Sequence, residues 1–325
     1  MKGLKCSFVG LELTNPIIAA SCGRTNSAKK NLALEMAGVG AIVLKSLFEE
    51  DIIRASAAMN DSSMHSEAAD YLHGYLRSEA LSEYITLIKE SKAACSVPII
   101  ASINCHSDGE WENFASLIEE AGADALQLNI MDVQSQPNYT EGSFEQLHLE
   151  IAKTITSKIQ IPVIVKLCSN ITNPISLISK LYSCGVKGVT LFNRMYQSDI
   201  DIEKMQISKG AILSSAQELA LPLRFTSLAS AAVPQMDYSL SGGVQNGADV
   251  VKAILSGATT VEVCSSLYRE GNEWIGSAVE FARDWQQRHG YKDTESYRGT
   301  MNAKSEAMRE SAVRTQFLKF FGTYQ

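Results

Sequence analysis

A recurring unit, in which a helical stretch closes on glycine and an apolar run of four or five residues follows, predicts an α/β fold: a parallel (β/α)8 barrel of the TIM type. Four copies are legible, at Gly38-Val-Gly-Ala-Ile-Val-Leu-Lys45, Gly122-Ala-Asp-Ala-Leu-Gln-Leu-Asn129, Gly185 through Gly188-Val-Thr-Leu-Phe-Asn193, and Gly257-Ala-Thr-Thr-Val-Glu-Val-Cys264. The glycine supplies the left-handed residue at which helices commonly end. The apolar run suits a strand covered on both faces, as parallel strands are. Two further runs, Pro98 to Asn104 and Pro162 to Lys166, are introduced by proline, which a central strand tolerates only at its first residue.

Adding the runs Asn15 to Ala20 and Asp237 to Ser241 places eight strands, at 16–20, 41–45, 99–104, 125–129, 162–167, 188–192, 237–241 and 260–264. Helical patterns at 111–121, 144–157, 175–183 and 249–256 alternate with them. Eight such alternations close into a barrel, whereas an open doubly wound sheet, the alternative, usually has fewer strands. Residues 6–13, alternating about Gly10, predict a hairpin under the barrel, and 273–289 the last barrel helix. The remaining tail is charged and partly helical, and its Phe317, Phe320 and Phe321 need burial, for which a second subunit is one source. The chain therefore reads as one domain, with the hairpin in 1–15, the barrel in 16–290 and the tail in 291–325.

With 45% hydrophobic and 20% charged residues among 325, the composition is that of a globular chain able to bury a large core. Net charge is 29 − 36 = −7 without a basic stripe, which argues against nucleic acid and against an anionic membrane surface as partners. No segment approaches the ~18 uninterrupted apolar residues of a membrane span, and the opening MKGLKCSFVG lacks a signal-peptide core. Seven cysteines, at 6, 22, 95, 105, 168, 184 and 264, form an odd set without a C-x-x-C pair, so a reduced, cytoplasmic protein is expected.

Barrel chemistry gathers at the C-terminal strand ends. In order these are Ser21, Lys45 with Ser46, Asn104, Asn129, Lys166, Asn193, Gly242 with Gly243, and Ser265 with Ser266. One polar strand end needs no ligand, because strand ends meet water. Two lysines and three asparagines aimed at one mouth predict a polar ligand, since unpaired polar groups are costly to bury. After the seventh strand, Ser241-Gly-Gly-Val-Gln-Asn-Gly247 leads into a helix near Asp249, and the eighth strand ends on Cys264-Ser265-Ser266. Glycine N–H groups and a helix N-terminus attract anions, so this pair of loops predicts a phosphate.

At these residues the sequence resembles the dihydroorotate dehydrogenase family, over roughly residues 5–290. The resemblance is carried in order by Leu13 through Ser21 (LTNPIIAAS), Lys45-Ser46, Ser102-Ile-Asn104, Leu128-Asn129, Pro162 through Asn170 (PVIVKLCSN), Phe192-Asn193, Ser241-Gly-Gly243 and Cys264-Ser265-Ser266. It implies an FMN-dependent oxidoreductase acting on CH–CH groups. Ala20, Ser21 and Gly23 would line the flavin, with Lys45 and Ser46 beside its ring. Asn104, Asn129 and Asn193 would bond the ring or the substrate, together with Lys45. Lys166 would sit at the N1–O2 edge, where a fixed cation stabilises the reduced anion. Gly242, Gly243, Ser265 and Ser266 would hold the phosphate.

The chain also departs from the family. An Asn-x-x-(Cys/Ser)-Pro-Asn pattern carries the family's general base, whereas here Asn129-Ile-Met-Asp132 puts Asp132 at that position, with Ser135 as the alternative base. The family's Gly-Leu-Pro-Asn type loop between the second and third strands is missing, and residues 61–75 offer His65, Tyr71 and His73 instead. Arg194 replaces a small hydroxyl residue, and Ser214-Ser215 replaces a Ser-Gly pair. An altered base and a rebuilt loop predict a relative with a different, small and anionic substrate, which Arg194 and the histidines would suit. The sequence leaves three other readings open: a true dihydroorotate dehydrogenase of pyrimidine biosynthesis, a non-catalytic flavin-binding electron-relay subunit, and a flavin-free aldolase-type barrel with a Schiff base on Lys166. A homodimer without metal is expected.

Overall fold

In the computed structural model, residues 3–48, 66–104 and 111–313 are described, apart from the side chains at 48, 66–77, 111–112 and 311. The chain opens with β1 (Cys6–Phe8) and β2 (Leu11–Leu13), an antiparallel pair joined at Val9 and Gly10. Both turn residues have positive φ, 50° and 86°, the twist that two-residue hairpins favour. The barrel strands follow as β3 (Ile17–Ala19), β4 (Ala41–Val43), β6 (Ile99–Asn104), β7 (Ala125–Asn129), β8 (Val163–Cys168), β9 (Gly188–Asn193), β12 (Asp237–Ser241) and β13 (Thr260–Val263). A short β5 (Leu47–Phe48) extends β6, and β10 (Ser198–Asp201) with β11 (Gln206–Lys209) forms a separate hairpin. Pairing of β3 with β13, and of β4 with β6, closes the eight parallel strands into a ring. The glycines expected to end helices do so: Gly38, Gly122, Gly185 and Gly257 have φ of 94°, 92°, 93° and 113°.

The alternation of side chains along each strand divides the apolar residues between two places. One set, including Ile17, Ala19, Ile42, Leu44, Ile103, Leu126, Leu128, Val165, Leu167, Leu191, Leu240 and Val261, belongs to the core that also takes in the helices around the ring. The other set, Ile18, Ala41, Val43, Ile100, Ala125 and Ile164, packs with Phe8, Val9 and Leu13 of the hairpin. The hairpin thus plugs the lower barrel as its pattern predicted, and Asp237 accepts the Val9 N–H at 2.6 Å to hold it there. Two residues further along the strands, the same faces turn polar: Ser102, Gln127, Lys166, Thr190, Ser239 and Glu262 are buried. The lower barrel is an apolar plug, and the upper barrel is a polar floor.

Two expectations need correction, and one element is new. Residues 61–75 are not all loop, because a helix spans Ser66–Ala94 and carries Tyr71 and His73; those two side chains, and His65 altogether, lie outside the described residues. The helix after the seventh strand begins at Gly247 rather than Asp249, since Asn246 caps it by accepting the N–H groups of Ala248 and Asp249. The β10–β11 hairpin was not foreseen. The tail is helical at Glu306–Val313, and Phe317, Phe320 and Phe321 lie outside the described residues. No described helix is long and apolar enough to cross a membrane.

Candidate cofactor site at the barrel mouth

Above the polar floor a cavity of about 490 Å³ opens at the C-terminal strand ends. Of the residues singled out in the sequence, Ala20, Ser21, Lys166, Asn193, Arg194, Gly242, Gly243 and Ser265 line it. Its volume lies in the range typical of small-molecule sites, roughly 300–1,000 Å³. Its floor is a connected network. Lys166 Nζ donates to Glu262 Oε2 at 2.9 Å, and Glu262 Oε1 accepts from Gln127 Nε2 at 2.7 Å and from Thr190 Oγ1 at 2.6 Å. The lysine and glutamate side chains are 9% and 1% exposed, so each charge depends on the other. An ammonium that donates to a buried carboxylate has no lone pair to offer a carbonyl, which weighs against the Schiff-base reading.

Glu262, Gln127 and Thr190 were missed in the sequence, although a signal was there. Each sits inside an apolar run two residues before a strand-end position or in register with one, where period-two alternation points into the barrel. A run read as uniformly apolar conceals them.

A second chain of hydrogen bonds holds the wall. Ser46 N–H donates to Ser21 Oγ at 2.8 Å, the two hydroxyls lie 2.9 Å apart, and Ser46 Oγ meets Ser102 Oγ at 2.7 Å. Ser102 is fixed by Tyr84, whose hydroxyl donates to its carbonyl and accepts its N–H. Ser46 therefore supports Ser21 from behind rather than lining the cavity. Asn129 stands likewise one step back: its Oδ1 accepts Asn193 Nδ2 at 2.7 Å. Asn104 is buried in the same register row, opposite Asn129, and its Oδ1 has no hydrogen-bond partner among the described residues. Lys45, half-buried, follows the second barrel strand and donates its N–H to Thr25 O. Gly23 admits the Tyr268 hydroxyl, which would lie 2.8 Å from a β-carbon at that position.

The end of the cavity at the last two strands gathers hydrogen-bond donors. Ser214 donates its N–H and its hydroxyl to Ser265 Oγ, both at 3.0 Å, and Gly243 N–H points to Ser214 Oγ at 3.4 Å. Two backbone N–H groups and two hydroxyls that converge in this way suit the several oxygens of a phosphate. Gly243 is required here by packing as well as by its φ of 74°, since a β-carbon would meet Leu219 N at 2.2 Å. Ser266 plays another part: its hydroxyl donates to Val244 O at 2.5 Å. The helix at Gly247–Ser256 also contributes less than its position suggested. Its N-terminus is satisfied by Asn246 and already carries the Asp249 carboxylate, which accepts Gln245 N–H.

Arg194 clamps the loop that delivers Ser214. Its Nε donates to Glu218 Oε2 at 2.8 Å, Nη1 to Ile212 O and Nη2 to Ala211 O. Three of its five N–H donors are thereby engaged, leaving two for a ligand. For Glu218, burial favours the neutral acid, but Ser215 N–H and the Arg194 guanidinium outweigh it and hold the carboxyl below its ordinary value. Asp132 and Ser135 are exposed on the loop beyond β7, outside the cavity lining; Asp132 Oδ2 accepts Gln134 Nε2 at 2.7 Å. Among the described residues no cluster of three or more His, Cys, Asp or Glu could hold a metal.

A closed parallel barrel with a polar-floored cavity at its C-terminal strand ends has the architecture of an α/β-barrel enzyme. Within that class the chain belongs to the dihydroorotate dehydrogenase family, whose profile, described as dihydroorotate dehydrogenase, matches residues 3–280. The family is one of oxidoreductases, and its members are generally flavoproteins. The chain is similar to the catalytic subunit of dihydroorotate dehydrogenase B (NAD(+)) of Methanocaldococcus jannaschii, at 25% identity over 82% of this chain and 88% of the relative. It is similar to dihydroorotate dehydrogenase A (fumarate) of Limosilactobacillus reuteri, at 26% identity over 82% and 88%. It is equally similar to the chloroplastic dihydropyrimidine dehydrogenase (NADP(+)) of Arabidopsis thaliana, at 26% identity over 91% and 76%.

Proposed function

We propose that the protein is an FMN-dependent oxidoreductase that exchanges hydride with a small anionic substrate other than dihydroorotate. The observation that carries the reading is the convergence of Gly243 N–H, Ser214 and Ser265 at one end of a cavity whose floor is polar. That cradle fits a phosphate, and the buried Asn104 Oδ1, without a partner among the described residues, fits the polar edge of a ring system. A bound flavin would supply the two-electron acceptor. The chain's own residues do the rest. Gly243, Ser214 and Ser265 hold the phosphate, while Ser21, braced by Ser46 and Ser102, gives the ring a fixed wall. Lys166 presents an ammonium that Glu262 positions and largely neutralises, so it stabilises charge developing beside it less than a free cation would. Asn193, braced by Asn129, and the two uncommitted N–H groups of Arg194 bind the substrate. Asp132 or Ser135, exposed on the loop after β7 outside the cavity lining, is the group proposed to move the accompanying proton once that loop turns inward over the substrate.

Three relatives' names point to two different pyrimidine-ring reactions, so kinship does not select a substrate. Sites built around hydrogen bonds reject analogues lacking a partner by ~1–3 kcal/mol per unpaired group. The altered base position and the substituted loop before the third strand support a substrate other than dihydroorotate. The test is the cofactor released on heat denaturation, expected to be about one FMN per chain, followed by anaerobic reduction with dihydroorotate. Absence of flavin overturns the cofactor assignment, and rapid bleaching by dihydroorotate overturns the substrate assignment.

A homodimer is part of the proposal. Ile200 and Ile207 pair across the β10–β11 hairpin and are 69% and 79% exposed, with Met205 88% exposed at its tip. An apolar edge of this kind suits burial against a second copy of the chain.

A further inference from the structure

Two cysteines share one wall of the cavity at the barrel mouth. Cys22 follows β3 and Cys264 follows β13, parallel neighbours in which Ala19 lies opposite Val263. The bond from Ala20 N–H to Val263 O, at 2.9 Å, continues the pairing up to the two thiols. Both side chains line the cavity, together with Lys166 and Tyr268, and both are free thiols. Their environments are opposite in effect. The neighbouring Cys264 thiol, with the Arg24 N–H, the Tyr268 hydroxyl and the Lys166 charge, outweighs the burial that opposes them and brings Cys22 down to about 6. The Cys22 sulfur, with burial, pushes Cys264 up. Arg24 keeps its guanidinium near, with its carbon 5.3 Å from the Tyr268 ring centre. By contrast burial raises Cys6 to about 12, and Cys95 and Cys168 to about 11. A thiolate and a protonated thiol on adjacent strand ends of one cavity wall are the arrangement of an attacking and a resolving cysteine.

We propose that Cys22 and Cys264 form a redox-active dithiol, a second two-electron site in this cavity, with low-molecular-weight disulfides as its substrates. The Cys22 thiolate attacks one sulfur of the disulfide; the small molecule's S–S bond breaks, a mixed disulfide forms and one thiolate leaves. Cys264 passes its proton to that leaving thiolate, then attacks the Cys22 sulfur and expels the second. The protein's two thiols are oxidised to one disulfide, and the substrate is reduced to one thiol and one thiolate. A small dithiol reverses the sequence. Cys22 and Cys264 stand beside Ser21 and Ser265 on the wall that the proposed function gives to the flavin, so the exchange is tested in protein freed of flavin as well as in protein as purified.

The test treats the purified, reduced protein with oxidised glutathione at pH 7, quenches with acid and maps the peptides by mass. The expected product links Cys22 to Cys264, with the loss of two hydrogens. Cys264→Ser should halt at a glutathione adduct on Cys22, and Cys22→Ser should leave Cys264 unmodified. A second measurement needs no variant: alkylation of wild-type Cys22 by iodoacetamide should show an inflection at about pH 6. In Cys264→Ala that inflection should rise toward the ordinary thiol range, by about two units. Absence of the 22–264 link, no adduct on Cys22 in Cys264→Ser, or a wild-type inflection above pH 8 each overturns the proposal. Flavin content is read in parallel, so that a flavin-free protein forming the link sustains the dithiol while defeating the cofactor assignment.

Discussion

Replacing Glu262 by alanine tests the floor of the cavity most directly. The variant removes the acceptor of three hydrogen bonds, from Lys166 at 2.9 Å, Gln127 at 2.7 Å and Thr190 at 2.6 Å. It also leaves an ammonium that is 9% exposed without its counter-charge. Breaking one side of a buried pair costs about 3–5 kcal/mol, because the remaining charge stays desolvated. At roughly 2 °C per kcal/mol for a domain of this size, that is a fall in Tm of about 6–10 °C. Removing both charges with shape kept, as Lys166→Met with Glu262→Leu, should recover most of the loss, since paired burial contributes little net stability. The assay is urea unfolding of wild type, Glu262→Ala, the singles Lys166→Met and Glu262→Leu, and their double, with coupling taken from the cycle of the last three with wild type. A Glu262→Ala variant within ~1 kcal/mol of wild type, or single effects that simply add in the double, would refute the dependence of each charge on the other.

The cradle, the clamp and the hairpin each give a further expectation. Gly243→Ala puts a β-carbon 2.2 Å from Leu219 N, so it should both destabilise the fold and release flavin; Gly242→Ala, whose nearest neighbour is Pro222 Cγ at 3.7 Å, should cost only the ~1–2 kcal/mol of its left-handed φ. Equal flavin retention and equal unfolding midpoints in the two variants would contradict the packing argument. Glu218 has a lowered folded pKa, so its contribution is complete above its unfolded value near 4.5 and is lost as pH falls through the lower folded value. Flavin affinity should weaken in that acid window as Arg194 loses its partner, and Glu218→Gln should abolish the acid dependence; a pH profile unchanged by the substitution would show that the clamp is idle. Ile200→Asp with Ile207→Asp should turn a dimer into a monomer by sedimentation, and a wild-type monomer at micromolar concentration would end the proposal for that edge.

The ring of eight strands was legible because two local signals repeat. A glycine that ends each of four helices, and a short apolar run after it, depend only on neighbours in the chain, and the observed strand bounds depart from the expected ones by a residue or two. The polar strand ends were legible for the same reason. Asn104, Asn129 and Lys166 fall in one register row because parallel strands of matched length end together.

What each of those side chains touches was decided by closure of the ring. Glu262 comes within reach of Lys166 across 96 residues of sequence, and Cys22 and Cys264 become neighbours only because β3 pairs with β13. Three of the five donors of Arg194 are taken up by a loop some 20 residues further on that folds back to it, a placement its position in the sequence does not show. Local sequence specifies where a strand or helix begins and which face is polar, because those depend on backbone preference and period. The partner of a buried charge or thiol depends on which strands the barrel brings together, and only the tertiary structure holds that information.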